Sequence, residues 1–479
     1  MSTLIRKQFL WTDHRTLVLL LLFVLGSGSI VAAIALGEVR LAVTGVAFSL
    51  ILSLSMVDVR LSILGLFAFL TVLGDLRRLL VPVVGWSGSD PILMVGPVFT
   101  VLLMGYLLAT SRLSTASTLS RWVLAFTAIM VLQIVNPKQG GLAVGIAGAI
   151  LVIIPTFWFW IGQAFGSEKF LKTFLFSLII PLTVVALVMG YIQLVHGYLP
   201  YQLDWYRVAG YTALGDSEET LRPLSIFPNI TEYLVYVSIS IVVLVSALFH
   251  KSASTITKQV ALLLVPVSIA ALLLAGSRGP VVMSILVIVL MWAIQGRSVA
   301  AWGPRLAIAG LLGVMGFAWS LSQVSDLGGS ARVQANLQRQ AQLVETGGTA
   351  SIHADLAWTA VYHGLVKEPL GMGIGSITLA ASKFGGDGFN SEKDLTNMFI
   401  ATGAVGGIVY LILVGLVAIV AVRYWIHTRS LMALVIFGVL AVTGLTWLHP
   451  GHYVTTPLVW FVIGVLDRLS QNTSQPPST

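Results

Sequence analysis

The chain has no cysteine and little charge: Asp, Glu, Lys and Arg make up 10% of its 479 residues. Without a thiol, disulfides, thiolate metal sites and cysteine nucleophiles are excluded, and the redox compartment leaves no trace. Soluble domains carry about a quarter charged residues, so a water-facing surface cannot be built from so few. Hydrophobic residues fill 57% of the chain, and the mean hydropathy is +0.94. The fold class expected is therefore an all-α polytopic membrane protein. The charge that remains is unbalanced, with 27 Lys and Arg against 19 Asp and Glu, for a net +8. In such a protein the excess bears on topology and on anionic lipid or substrate, not on nucleic acid.

A spanning helix needs about 20 mainly apolar residues. Such runs lie near 16–36, 41–57, 61–74, 91–110, 122–136, 143–165, 173–194, 231–249, 259–276, 280–295, 306–323, 396–422, 430–447 and 453–467. That is about fourteen helices, or twelve to thirteen if the short run 61–74 is re-entrant. The first run has a basic start but spanning length, so it reads as a transmembrane segment and not as a cleaved signal. The connections "VDVR", "SRLSTASTLSR", "GSEKFLK", "HKSASTITK", "QGRSVAAWGPR" and "RYWIHTR" are short and basic. They are expected inside, with both termini. The three long connections, 75–90, 195–230 and 324–395, then lie outside and hold most of the acidic residues. No internal repeat stands out, and only the tail "SQNTSQPPST" looks disordered. Three regions follow: an N-terminal bundle over 1–199, a loop-rich core over 200–423, and C-terminal helices with a short tail over 424–479.

The long loops carry the candidate chemistry. "LLLAGSRGPVVMSILVIVL" would pass for one membrane helix were Arg278 not inside it. Gly279-Pro280 suits a tight reversal into a new helix, which places Arg278 at an outward joint between two helices. One reading is an arginine that snorkels to lipid phosphates. The other is an anion site, strengthened by the positive end of the second helix. In "YRVAGYTALGDSEETLRPLSIFPNITEYLVY", Arg207 and Arg222 either pair with Asp216, Glu218 or Glu219 or join Arg278 around one anion. Arginine's bidentate fork favours phosphate. Asn229 or Thr231 is placed to cap the helix that follows.

"GDLRRLLVPVVGWSGSDP" packs Asp75, Arg77, Arg78 and Asp90 together. Mutual ion pairing and contact with glycan or headgroup are the two readings. Residues 331–344 put Val333, Leu337, Ala341 and Val344 on one helical stripe, with Arg332 and Arg339 on the opposite side. "TGG" ends that helix, a second follows from about Ile352 to Val366, and "KEPLGMGIGS" is a turn region. Glu392 and Asp394 stand just ahead of a membrane helix, where they either favour its dipole or accept a proton from a hydroxyl. His353, His363, His449 and His452 lie on the same side with no metal-site spacing, and no metal or cofactor is expected.

The order of these pieces resembles the O-antigen ligase and polymerase superfamily of bacterial membrane glycosyltransferases. The matching elements are "RPLSIFPN", "SRG" at 277–279, a long loop with "W…A…PLGMGIG" over 358–375, and "TGAVGG" at 402–407. The resemblance covers roughly 200–415; the first six helices match in character only. It implies a GT-C-like bundle in the bacterial inner membrane and a metal-independent inverting transfer. The donor would be a glycan on undecaprenyl diphosphate at the outer face, and the acceptor a glycan or glycolipid. It further implies that Arg278 and Arg222, with Arg207 as a third candidate, hold the diphosphate. On the reading of the residues themselves, Arg332 and Arg339 are placed to contact the growing polymer or headgroups, and Arg77 and Arg78 are further substrate-binding candidates. Flippase and chain-length regulator proteins are the partners the resemblance suggests. Ligases of this type carry a histidine where Glu392 stands here, which tilts the expectation toward a polymerase with Glu392, or else Asp394, as base. The rival from another class is a transporter of lipid-linked oligosaccharide, though transporters usually show paired halves and helices broken at midplane.

Overall fold

Hydrocarbon offers the backbone no hydrogen bonds, so long apolar runs close theirs internally as helices. The computed structural model describes residues 28–296 (without 29, 32, 210–217, 219 and 220), 302–310 (without 306 and 309), 332–338 and 348–474 (without 387, 390–392 and 445). For 278, 348–353, 473 and 474 it describes the backbone alone. No strand occurs among the described residues.

In chain order the helices are α1 (Val39–Val57), α2 (Val59–Leu79), α3 (Pro91–Ala109), α4 (Thr118–Val135), α5 (Leu142–Phe165) and α6 (Glu168–Val195). Then come α7 (Pro200–Ala209), α8 (Ile230–Phe249), α9 (Thr255–Leu274), α10 (Arg278–Ala293) and α11 (Gly348–Tyr362). The last are α12 (Leu379–Phe384), α13 (Asp394–Thr428), α14 (Leu431–Val442) and α15 (Thr455–Ser474). Among the described residues nine of these are long and apolar enough to cross a membrane: α1–α6, α8, α9 and α13. α10 and α14 are shorter apolar helices. The chain is thus an all-α, multi-pass membrane protein. α8 is its central helix, 89% buried. Beside it, rings of Phe67, Trp158, Phe174 and Phe461 lock α2, α5, α6 and α15 together at centroid distances of 4.8–6.4 Å.

The ends of the described helices sort onto two faces. On one face the short basic connections meet. Arg60 donates to the Phe165 carbonyl (3.2 Å), Ser117 to Asp467 (2.9 Å) and Arg429 to the Ile294 carbonyl (2.8 Å). The long connections gather on the other face, called here the long-loop face.

Several expected boundaries shift. The run 61–74 is no short re-entrant segment: α2 has 21 residues, because its charged last turn is paired within the protein. α14 stops at Val442, not near 447, since Thr443–Val454 turns into a loop that packs on the bundle. The expected spans 16–36, in its larger part, and 306–323, nearly throughout, lie outside the described residues. α13 starts and ends outside the expected 396–422 and has 35 residues, with Gly403 in the left-handed region (φ 67°). It is two helices meeting at a kink.

Candidate functional site

The loop between α7 and α8 is held from beneath by buried polar groups. Arg78, 1% exposed, pairs with Asp75 (3.2 Å) and donates to the carbonyls of Ser225 (2.9 Å) and Phe227 (2.8 Å). Its guanidinium also lies over the Trp205 ring at 5.4 Å. Asp75 accepts in addition from the Tyr201 hydroxyl (2.9 Å) and from Gln202 (3.2 Å). Burial, then the Asp75 charge, pushes the Tyr201 hydroxyl well above its ordinary value, so it stays a donor. From the other side, Gln193 Oε1 takes the backbone N–H groups of Leu224 (3.0 Å) and Ser225 (2.7 Å). Arg78 therefore positions the "RPLSIFPN" loop. Arg77 pairs with Asp90 (3.4 Å), which Arg40 also bonds, and lies over Trp86 at 4.8 Å. Both arginines make the ion pairs that were one of the two readings of this segment.

Residues 196–198 form a hub for the remaining arginine segments. The Tyr198 hydroxyl donates to the backbone carbonyl of Arg222 (2.6 Å). The Arg332 guanidinium, from the helix at 332–338, lies against Gly197 so closely that a Cβ there would fall 2.6 Å from its Cζ. One turn on, Asn336 packs against Gly276, 3.4 Å from where a Cβ of that residue would stand. Gly276 is two residues before Arg278, which opens α10 as the Gly-Pro sequence anticipates. The segments bearing Arg222, Arg278 and Arg332 thus converge on the long-loop face. The Nε of Arg332 is buried with no hydrogen-bond partner among the described residues, and an orphaned cationic donor is costly unless something supplies an acceptor. Arg207 is not among this group. It is exposed and pairs with Glu218 (2.8 Å) and Asp204 (3.7 Å). The Glu218 pairing pushes the guanidinium further up and the Glu218 carboxyl down.

A second polar cluster lies under the loop 443–454. Asp394, 2% exposed at the start of α13, accepts the Leu448 N–H at 2.6 Å. Glu232, in the first turn of α8, takes the N–H groups of Val454 (2.6 Å) and Thr455 (3.0 Å) and so caps α15. Asn229 caps α8 through Glu232 N–H (2.8 Å), as expected, and donates to the Gly451 carbonyl (2.7 Å). Two carboxylates and an amide thereby fix one short loop. Sequence reading passed over Glu232, because its partners lie more than 200 residues away and nothing local marks it.

That loop stacks His449 on His452, ring centroids 4.0 Å apart. Burial, then the Lys393 charge, lowers His449 to about 4; burial, then His449, holds His452 well below its usual value. Both rings are neutral when folded but accept protons near 6.5 when unfolded. The contribution of this pair to stability is therefore complete above about pH 6.5 and is lost as pH drops toward 4, by about 1.4 kcal/mol per pH unit for His449. In detergent melts at stepped pH the wild-type chain should lose more stability toward acid than a His449→Gln, His452→Gln double variant, by at least that slope.

The segment 369–375 is clasped to the α13 kink. Met372 and Gly373 N–H groups donate to the carbonyls of Ile400 (2.9 Å) and Ala401 (3.0 Å), and Ala404 N–H donates to Pro369 (3.0 Å). From α4 and the turn after it, Gln133 donates to Leu370 (2.8 Å), Asn136 to Gly371 (2.9 Å), and Gln139 accepts from Gly375 N–H (3.0 Å). "PLGMGIG" and "TGAVGG" are thus one backbone-paired unit. No sequence signal tied "QIVNPKQ" to it. A Cβ at Gly403 would overlap the Pro369 carbonyl as well as strain the φ of 67°. Gly403→Ala should therefore lower thermal stability by roughly 2 kcal/mol or more, read from the melting temperature in detergent.

Glu392, Arg339, Asp216, Glu219, Ala341 and Val344 lie outside the described residues, as do the side chains of Arg278 and His353. His363 stacks on Phe389 at 6.2 Å. No protein-family model matches the chain, and a search among curated proteins finds no match.

Proposed function

We propose that this chain is a membrane glycosyltransferase of the O-antigen ligase and polymerase kind, acting on polyprenyl-diphosphate-linked oligosaccharide, with polymerisation favoured. The long-loop face is then the outer face of the bacterial inner membrane. One observation carries the reading. Every Asp, Glu, Lys, Arg and His of the described spans sits within about two turns of a helix end, while arginine-bearing segments converge on the long-loop face. A transporter would need polar groups near mid-bilayer to move a charged headgroup or couple an ion. An enzyme needs them at one lip only.

In the proposed reaction the acceptor hydroxyl attacks the anomeric carbon, the bond to the diphosphate breaks, and the carrier diphosphate leaves. Negative charge grows on that leaving group, so guanidinium donors aimed at it favour the transition state over the ground state. Arg278 and Arg332 take this role, with Arg222 beside them; Arg77 and Arg78 act by holding the loops. Arg207, committed to Glu218 and Asp204, serves at most as an outer contact. Asp394 is occupied by Leu448 N–H and so positions the loop, which leaves Glu392 as the base. The test is the pH–rate profile of glycan transfer. Glu392→Gln should lose turnover together with the acid limb of the profile, whereas Asp394→Asn should lower turnover without removing that limb. If Glu392→Gln keeps the acid limb, Glu392 is not the base.

A further inference from the structure

α11 continues through a π-helical turn, His363–Lys367, so that one helical rod leads into the clasped segment. Its buried side is set by Ala360 and by Gly364, which packs against Phe399. The opposite side changes character along its length. Asp355 is exposed upstream. From Trp358 on the exposed apolar residues are Trp358 (72%), Tyr362 (46%), Leu365, Val366 (59%) and then Leu370 (81%), with Thr359, Lys367 and Pro369 exposed beside them. No acidic residue interrupts the stretch 358–367, and it closes on Lys367. Single exposed apolar residues are ordinary, but a contiguous run of five marks a partner.

The depth of the run identifies that partner. α13 has 35 residues, roughly 52 Å of helix, whereas the hydrocarbon core is about 30 Å thick. The part after the kink, residues 404–428, is roughly 37 Å long and spans the core unaided. The kink at Gly403 therefore marks the level where α13 meets the bilayer. The hydrogen bonds of Pro369, Met372 and Gly373 to residues 400–404 pin the lower end of the rod at that level. Immediately below, α13 itself exposes Val405 (61%), Ile408 and Leu411, as a helix entering the bilayer would.

We propose that the C-terminal half of this rod dips into the leaflet on the long-loop face. Trp358 and Tyr362 sit at headgroup level, where amphipathic rings are favoured. Leu365, Val366 and Leu370 reach the boundary between headgroups and acyl chains, and Lys367 reaches back to lipid phosphate. The rod ties the clasped turn to the bilayer surface, so the level of 369–375 is set by lipid as well as by protein. This does not depend on the glycosyltransferase reading.

The absence of native cysteine allows single-site labelling. Asp355→Cys, Tyr362→Cys, Val366→Cys and Leu370→Cys, each spin-labelled in phosphatidylethanolamine–phosphatidylglycerol liposomes, report collision with oxygen and with a water-soluble nickel chelate. The oxygen-to-nickel ratio should rise from 355 through 362 to its highest at 366 and 370. Leu365→Cys replaces any variant that fails to fold. Equal, water-like ratios at all four positions would overturn the proposal. So would shielding of 366 and 370 from both reagents, which would mean that protein, such as a second copy, covers the run.

Discussion

Replacing Arg278 by glutamine should cut consumption of lipid-linked oligosaccharide by two to three orders of magnitude while the protein still folds and inserts. The magnitude follows from losing one preorganised donor to a group that gains charge in the transition state, about 10²–10³-fold. α10 begins at this residue, and the reversal ahead of it lies at Gly276, whose φ is 72°. Arg332→Gln should have a similar direction, because its buried Nε has no hydrogen-bond partner among the described residues and its segment packs against the one that leads into α10. Arg207→Gln, which removes only an exposed ion pair, should leave turnover near the wild-type rate. If Arg207→Gln were the damaging variant and Arg278→Gln silent, the arginine assignment would be reversed.

The largest loss of stability is expected from Asp75→Ala. Arg78 is 1% exposed, and Asp75 is its one ion-pair partner among the described residues. Removing it leaves a buried guanidinium with carbonyl acceptors but no counter-charge, and takes the Asp75 acceptor from the Tyr201 hydroxyl and one of several acceptors from Gln202. Breaking a buried pair from one side costs about 3–5 kcal/mol. The double variant Asp75→Ala, Arg78→Met removes both charges and should recover much of that loss, because the desolvation penalty disappears with the pair. Thermal unfolding in detergent separates the three proteins. A double variant as unstable as the single one would mean that Arg78 acts chiefly through its bonds to Ser225 and Phe227.

What the sequence made legible follows from range. Helices are written locally, so the apolar runs place α3, α6 and α8 within a few residues. The Arg278 joint was visible because Gly279-Pro280 speaks only to its own turn. Charge misled at α2: Asp75, Arg77 and Arg78 looked like loop, yet they close the helix, since their partners make burial tolerable. The site contacts are nearly all long-range. Glu232 meets residue 454, Gln139 meets 375 and Arg40 meets Asp90, and no spacing in the chain announces such pairs. Asp394 stands out in the sequence as a candidate base, and its bond to Leu448 shows that it also holds the loop. A residue type suggests a chemistry; its partners decide whether that chemistry is free to occur.

Transfer from a lipid-linked donor on one face can be followed with purified protein in liposomes carrying polyprenyl-diphosphate-linked oligosaccharide in both leaflets. Carrier diphosphate should be released, and glycan lengthened or transferred, only in the leaflet on the long-loop face. Intact donor that equilibrates between leaflets, with no carrier diphosphate released, would contradict that transfer and identify a transporter.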